Sequence, residues 1–182
     1  ISARRFDGIA PEVYERGYRA GIVSVRRDEE SALTGIKSTD YLVTVMARRE
    51  AARFGLDESV LLNREGCVAE GGNSNIFFVK GGILVTPSLR AGILPGIIRR
   101  LVLELAGASG VPVREEDIRP SSLAAFDEAF FTSSVIEVMP LVAVRDETGT
   151  VIDIGAGRPG PETRTLMKAY ALRVERDTHA SA

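Results

Sequence analysis

A chain of 182 residues, 45% hydrophobic and 26% charged, is long enough to bury a core as one generous domain or two small ones. With 23 Lys+Arg against 25 Asp+Glu the net charge is -2, too weak a field to hold a phosphate polymer or an acidic membrane. One cysteine excludes an internal disulfide framework and a cysteine-rich zinc site. One histidine, His179 in the polar stretch RDTHASA, removes His-Asp-Ser, Cys-His and His-rich metal chemistry.

No metal site is therefore expected, and the chemistry left is that of lysine, carboxylates, hydroxyls and backbone amides. No apolar run approaches the ~20 residues of a membrane span. The opening ISARRF lacks the apolar stretch of a signal peptide. A cytoplasmic location is the expectation.

Residues 21–26 (GIVSVR) alternate apolar and polar and read as a strand, followed by a charged loop, RRDEES. From Ser38 the period changes: Leu42, Val45, Met46 and Phe54 fall near helical spacing. Ser38, Thr39 and Asp40 are candidate N-caps and Gly55 a stop, which predicts a helix from about 39 to 54. Short strands follow in SVLLN, CVAE, SNIFFVK and ILVTP. Gly81-Gly82, between two apolar runs, signals a hairpin whose turn needs positive φ angles.

A second helix over 96–108 has Ile97, Leu101, Val102 and Leu105 on its apolar side. Strand VPVRE, a short helix SSLAAF and strand EAFFTS come next. EVMPLVAV then pairs with TVIDI across the DETG turn, and GPETRTLMKAYALRVERD reads as an amphipathic terminal helix fraying into DTHASA. This pattern predicts one mixed α and β (α+β) unit, an antiparallel-rich sheet with flanking helices.

Four features could carry chemistry. Lys37, in TGIKSTDYL, precedes a helix whose positive dipole end lowers the cost of a neutral amine, the form that attacks an aldehyde. Glu70 ends an apolar strand beside two glycines and could face a cleft. Pro95 and Gly96 stand before a helix whose first free amides, those of Ile97 and Ile98, suit an anion. Thr132, Ser133 and Ser134 interrupt an apolar run and make a second cradle for phosphate or carboxylate. Singly, each has an ordinary structural explanation: a solvated lysine, a strand-end acid, a helix cap and a polar turn. Neither GxxxxGK[ST] nor GxGxxG is present.

Together these are the parts of a pyridoxal-phosphate site. In order along the chain, VRRDEESALTGIKSTDYL, VAEGGNSNIFFVKGG, ILVTPSLRAGILPGIIR, DEAFFTSSVIEVMPLV and GAGRPGPETRTL resemble the class-IV, fold-type IV pyridoxal-phosphate enzymes. These are the branched-chain and D-amino-acid aminotransferases and 4-amino-4-deoxychorismate lyase. The resemblance covers about Val23 to Lys168 and implies pyridoxal 5'-phosphate as cofactor.

It also implies roles. Lys37 matches the lysine that forms the Schiff base and then moves the substrate Cα proton. Glu70 matches the glutamate that hydrogen-bonds the pyridine nitrogen, and Leu94 the leucine packed on the ring. Ile97 and Ile98 match the pair whose amides bind the phosphate, where many relatives have threonine second. Ser134 matches a further phosphate contact, and Ser133, Ser134 and Val135 the turn that approaches the substrate carboxylate. Asp40 stands where asparagine is usual, and Tyr41 has no single counterpart across the subfamilies.

Relatives carry an N-terminal α/β domain that supplies an arginine to the cofactor phosphate. The resemblance therefore casts residues 1–20 as a remnant of, or linker from, that domain, 21–176 as the C-terminal cofactor-binding domain and 177–182 as a disordered tail. It further implies a homodimer, amino-acid and 2-oxo-acid substrates, and no nucleic-acid or membrane partner. An aminotransferase of branched-chain or D-amino-acid type is the leading expectation. 4-Amino-4-deoxychorismate lyase is the alternative, and an inactive fragment or cofactor-free binding module is the second alternative.

Overall fold

A computed structural model describes residue 3 and residues 5–179. In chain order the elements are α1 (Pro11–Arg16), β1 (Tyr18–Arg27), α2 (Leu42–Arg53), β2 (Glu58–Asn63), β3 (Val68–Gly71), β4 (Asn75–Lys80) and β5 (Ile83–Thr86). Then come α3 (Ile97–Ala108), β6 (Val113–Glu115), β7 (Glu128–Ser133), β8 (Glu137–Arg145), β9 (Val151–Asp153) and α4 (Pro161–His179).

The strands form one sheet in the order β3-β2-β1-β8-β7-β4-β5-β6, with β9 paired to β8. The pairs β2–β3, β4–β5, β4–β7, β7–β8 and β8–β9 are antiparallel. β1 runs parallel to β2 and β8, and β5 to β6. The antiparallel-rich α+β expectation holds.

Alternation of side chains sorts β4 and β7 onto two faces. Phe77, Val79 and Phe130 face α3 and α4, where Ile98, Val102, Ala106, Leu166 and Tyr170 cover them. Ile76, Phe78, Ala129 and Phe131 join Met139, Leu141, Ile22 and Val60 on the other face, closed by Leu123 and Phe126. Both faces are buried, which is why IFFV reads as an unbroken apolar run. Phe77 and Phe130, paired in register, stack with centroids 5.0 Å apart. The Gly81-Gly82 turn has the expected positive φ at both glycines, 56° and 75°.

Helix α2 departs from its sequence pattern in two ways. It starts at Leu42 instead of 39, and Leu42, Val45, Met46 and Phe54 are exposed. The buried side is Ala47 and Ala51, packed on Val23 and Leu61. Small residues let the helix axis approach β1 and β2 closely, and the large apolar residues are left facing outward.

The chain ends also differ from expectation. β1 begins at Tyr18, ahead of the boundary placed at 21, and Ile9, Val13, Tyr14 and Tyr18 pack on the main core. Arg16 makes a two-pronged pair with Asp57 at 2.9 Å, tying the end of α1 to the segment before β2. Helix α4 continues through Asp177, Thr178 and His179, held by an Arg173–Asp177 pair at 2.8 Å and a Thr178 Oγ1 bond to Val174 C=O. Only 180–182 of the predicted tail lie outside the described residues. The GPET segment starts α4: buried Glu128 accepts the first-turn amides of Glu162 (3.0 Å) and Thr163 (2.7 Å). Among the described residues no helix is long and apolar enough to cross a membrane.

Candidate active site

A cavity of about 470 Å³ lies where the loop before α2, the end of β3, the start of α3 and the β7–β8 turn meet. Lys37, Glu70 and Leu94 line it, with Ile97 and Ile98 from α3 and Ser133 and Ser134 from the turn. Residues separated by up to about half of the chain are thus brought to one cavity. Val135 is not among the lining residues; its side chain is exposed and its N–H donates to Ser133 Oγ at 3.3 Å.

Lys37 is exposed, in a loop built from successive side-chain turns. Asp40 N–H donates to Ser38 Oγ (3.2 Å), and Leu42 N–H to Asp40 Oδ1 (3.3 Å). These residues lead the chain into α2 instead of capping a helix that starts at 39. Lys37 Nζ stands 5.9 Å from the centroid of the Tyr41 ring, within cation–π range.

Glu70 is almost fully buried. Burial pushes its carboxyl above the ordinary range, and the Arg27 guanidinium opposes that most strongly. Arg27 Nε donates to Oε1 at 2.6 Å, with Nη2 of the same guanidinium also paired to Oε1. Leu94 N–H donates to Oε2 at 3.0 Å, and Asn75 Nδ2 reaches the same oxygen at 3.4 Å. The carboxylate is held from three directions: the end of β1, the start of β4 and the segment before α3.

The third part is an anion cradle. α3 is a 12-residue helix whose N-cap, Gly96, offers no side chain, so the first amides are free to face the cavity. A Cβ at Gly96 would collide with Asn75 Oδ1, whose amide also donates to Leu94 C=O at 2.8 Å. Also lining the cavity, Thr132 Oγ1 is buried and has no hydrogen-bond partner among the described residues. An orphaned buried hydroxyl costs free energy unless a ligand satisfies it.

Arg27 and Asn75 had no role in the sequence motifs, and of the Thr132–Ser134 hydroxyls expected to cradle an anion, Thr132 is buried and Ser134 exposed. The available signals were a second arginine at a strand end and an asparagine inside an otherwise apolar strand.

The profile of the amino-transferase class IV family matches residues 3–144. The chain belongs to that family. Among relatives of this class IV chain, a branched-chain-amino-acid aminotransferase of Pseudomonas aeruginosa is 38% identical over 173 residues, 94% of this chain and 54% of that protein. A putative branched-chain-amino-acid aminotransferase of Methanocaldococcus jannaschii is 41% identical over 135 residues, 74% of this chain and 47% of that protein. The structure of the Thermobaculum terrenum branched-chain amino acid aminotransferase in its PLP-form superposes with a TM-score of 0.80 at 33% identity, covering 90% of this chain and 53% of that one. The class IV chain spans about half the length of the relatives it matches.

Proposed function

We propose that this chain forms the cofactor-binding part of a pyridoxal-phosphate-dependent aminotransferase that moves an amino group between an amino acid and a 2-oxo acid. The observation that carries the reading is the convergence of Lys37, Glu70 and the uncapped N-terminus of α3 on one cavity. The donor set fits the cofactor: an amine for its aldehyde, a buried carboxylate for its ring nitrogen, and free amides plus the orphaned Thr132 hydroxyl for its phosphate.

Bound there, pyridoxal phosphate would supply an aldehyde carbon and a ring that draws electrons from the substrate Cα. The chain's own groups do the rest. Lys37 Nζ would hold the cofactor's aldehyde and, when free, would accept the substrate Cα proton and give it up again, as general base and then acid. Glu70, whose charged form Arg27 favours against burial, would favour a protonated ring nitrogen, and the weak 3.4 Å contact from Asn75 leaves acceptor capacity on Oε2. The Ile97 and Ile98 amides would orient the phosphate, Leu94 would flank the ring, and Ser133 and Ser134, which line the same cavity, would receive a substrate carboxylate.

The names of the relatives support branched-chain amino acids as the substrate class over D-amino acids. We also propose a homodimer, since Leu33, Ile36, Leu42, Val45 and Met46 are exposed on or beside the loop that carries Lys37.

The test is amino transfer from L-leucine, and separately from D-alanine, to 2-oxoglutarate by the full protein, with Lys37→Ala as control. Leucine-dependent glutamate formation lost in Lys37→Ala is expected. Transfer from D-alanine alone would overturn the substrate class. Pyruvate release from 4-amino-4-deoxychorismate without any amino transfer would overturn the reaction.

A further inference from the structure

One buried acid has no part in the chemistry above. Glu58, the first residue of β2, is 4% exposed and does not line the cavity. Its Oε1 accepts Ser59 N–H (2.8 Å) and Ser59 Oγ–H (3.2 Å), and its Oε2 accepts Ser74 Oγ–H (3.4 Å). The Gly72 amide also favours its charged form, and Arg48 lies near enough to do the same. Among the described residues no cation comes within ion-pair distance of Glu58.

Two of the residues it touches, Gly72 and Ser74, belong to the short connection between β3 and β4, GNS, which forms one wall of the cavity through Gly72, Asn73 and Ser74. That connection joins Glu70 to Asn75, the two side chains that meet at Leu94. It is gripped from both sides. Thr44 Oγ1 of α2 donates to Gly72 C=O at 2.8 Å, and Gly71 N–H closes back on Ser74 C=O at 2.7 Å. A Cβ at Gly72 would press on Ser59 Oγ and Glu58 Oε1, so only glycine lets the loop settle on this carboxylate.

We infer that Glu58 is a positioning residue of the site, a buried carboxylate that fixes the Gly71–Asn75 loop through Ser59, Ser74 and the Gly72 amide, and so sets Asn75 against Leu94 and Glu70. The inference rests on the reading of the cavity as a cofactor site. Fold stability alone gives a weak reason for an acid here. Burial raises the Glu58 carboxyl above its ordinary range, so ionising it opposes folding, and an uncharged isostere avoids that cost. The acceptors it offers to a glycine-rich loop supply the better reason.

The test compares the full protein with Glu58→Gln, Ser74→Ala and the double variant. Amide hydrogen exchange is followed without cofactor, and pyridoxal phosphate retention is measured with it. Exchange should rise only over residues 71–75 in both single variants. Retention should weaken by up to about tenfold, the scale of one lost hydrogen bond. The double variant should be no worse than the poorer single one, since both break the same tether.

Unchanged exchange in the loop, exchange raised across the whole chain, or additive losses would each overturn the inference. If Glu58→Gln does not fold, Ser74→Ala alone decides it, because that change leaves the buried acid in place. Failure of the unaltered protein to bind pyridoxal phosphate would overturn the proposed function instead, while the exchange comparison still decides whether Glu58 holds the loop.

Discussion

Replacing Arg27 by methionine keeps much of the side-chain volume and removes the guanidinium that opposes burial at Glu70. A charge-assisted hydrogen bond to a carboxylate contributes ~1.5–3 kcal/mol. Arg27 makes one from Nε at 2.6 Å, with Nη2 also paired to the carboxylate. Its side chain is 32% exposed, so solvent screening favours the lower part of that range. About 2 kcal/mol corresponds to roughly a thirtyfold shift of Glu70 from the ionised to the neutral form.

A neutral acid does not favour a protonated ring nitrogen. Arg27→Met should therefore retain pyridoxal phosphate less well than the unaltered protein near neutral pH and recover as the pH rises. Arg27→Lys should fall between them. Stability runs the opposite way. A carboxyl raised by burial contributes most below the ordinary carboxylate range, and that contribution is lost as pH rises through its folded value. Arg27→Met, with Glu70 raised further, should thus lag increasingly in thermal midpoint toward alkaline pH. Titration of the cofactor by fluorescence and thermal melts over the same pH series check both. A cofactor affinity whose pH profile matches the unaltered protein would refute the reasoning, as would a loss that alkaline pH does not restore.

Two further outcomes are expected. Gly96→Ala drives a methyl into Asn75 Oδ1 at a backbone conformation alanine otherwise accepts (φ -65°). Overpacking of this kind costs about 1–3 kcal/mol. It should weaken inorganic phosphate binding by the full protein in proportion to the displacement of α3, measured by calorimetry; unchanged phosphate affinity would contradict the cradle. Glu128→Gln weakens the cap on the first turn of α4 and should cost about 1–2 kcal/mol, or roughly 2–8 °C in thermal midpoint. Cofactor retention should be unaffected, because the residue lies outside the cavity.

Much of the fold was legible because strand alternation, glycine turns and helix stops are local properties of the backbone. NIFFVK, EAFFTS and the Gly81-Gly82 hairpin fall where their patterns place them, and the start of α3 follows Pro95-Gly96 within one residue. The buried face of α2 was not legible. Spacing marks which residues share a side of a helix, whereas the distance to the sheet decides which side is buried, and close approach chose Ala47 and Ala51 over Leu42 and Met46.

The candidate site divides in the same way. By itself the sequence determined the repertoire: a lysine, a strand-end glutamate, a free helix N-terminus and a hydroxyl turn, in an order that resembles one family. Tertiary structure decided what each of them meets. Arg27 reaches Glu70 across 43 positions of chain, and Glu58 reaches Ser74 across 16. Such contacts depend on strand register and on loops folding back over strand ends. No local pattern encodes that Arg27 rather than Arg26 meets Glu70, or that Thr132 is a buried hydroxyl left without a partner among the described residues while Ser134 is exposed to water. Polar groups declare their partners only when burial removes water as the alternative, and burial is a property of the assembled sheet.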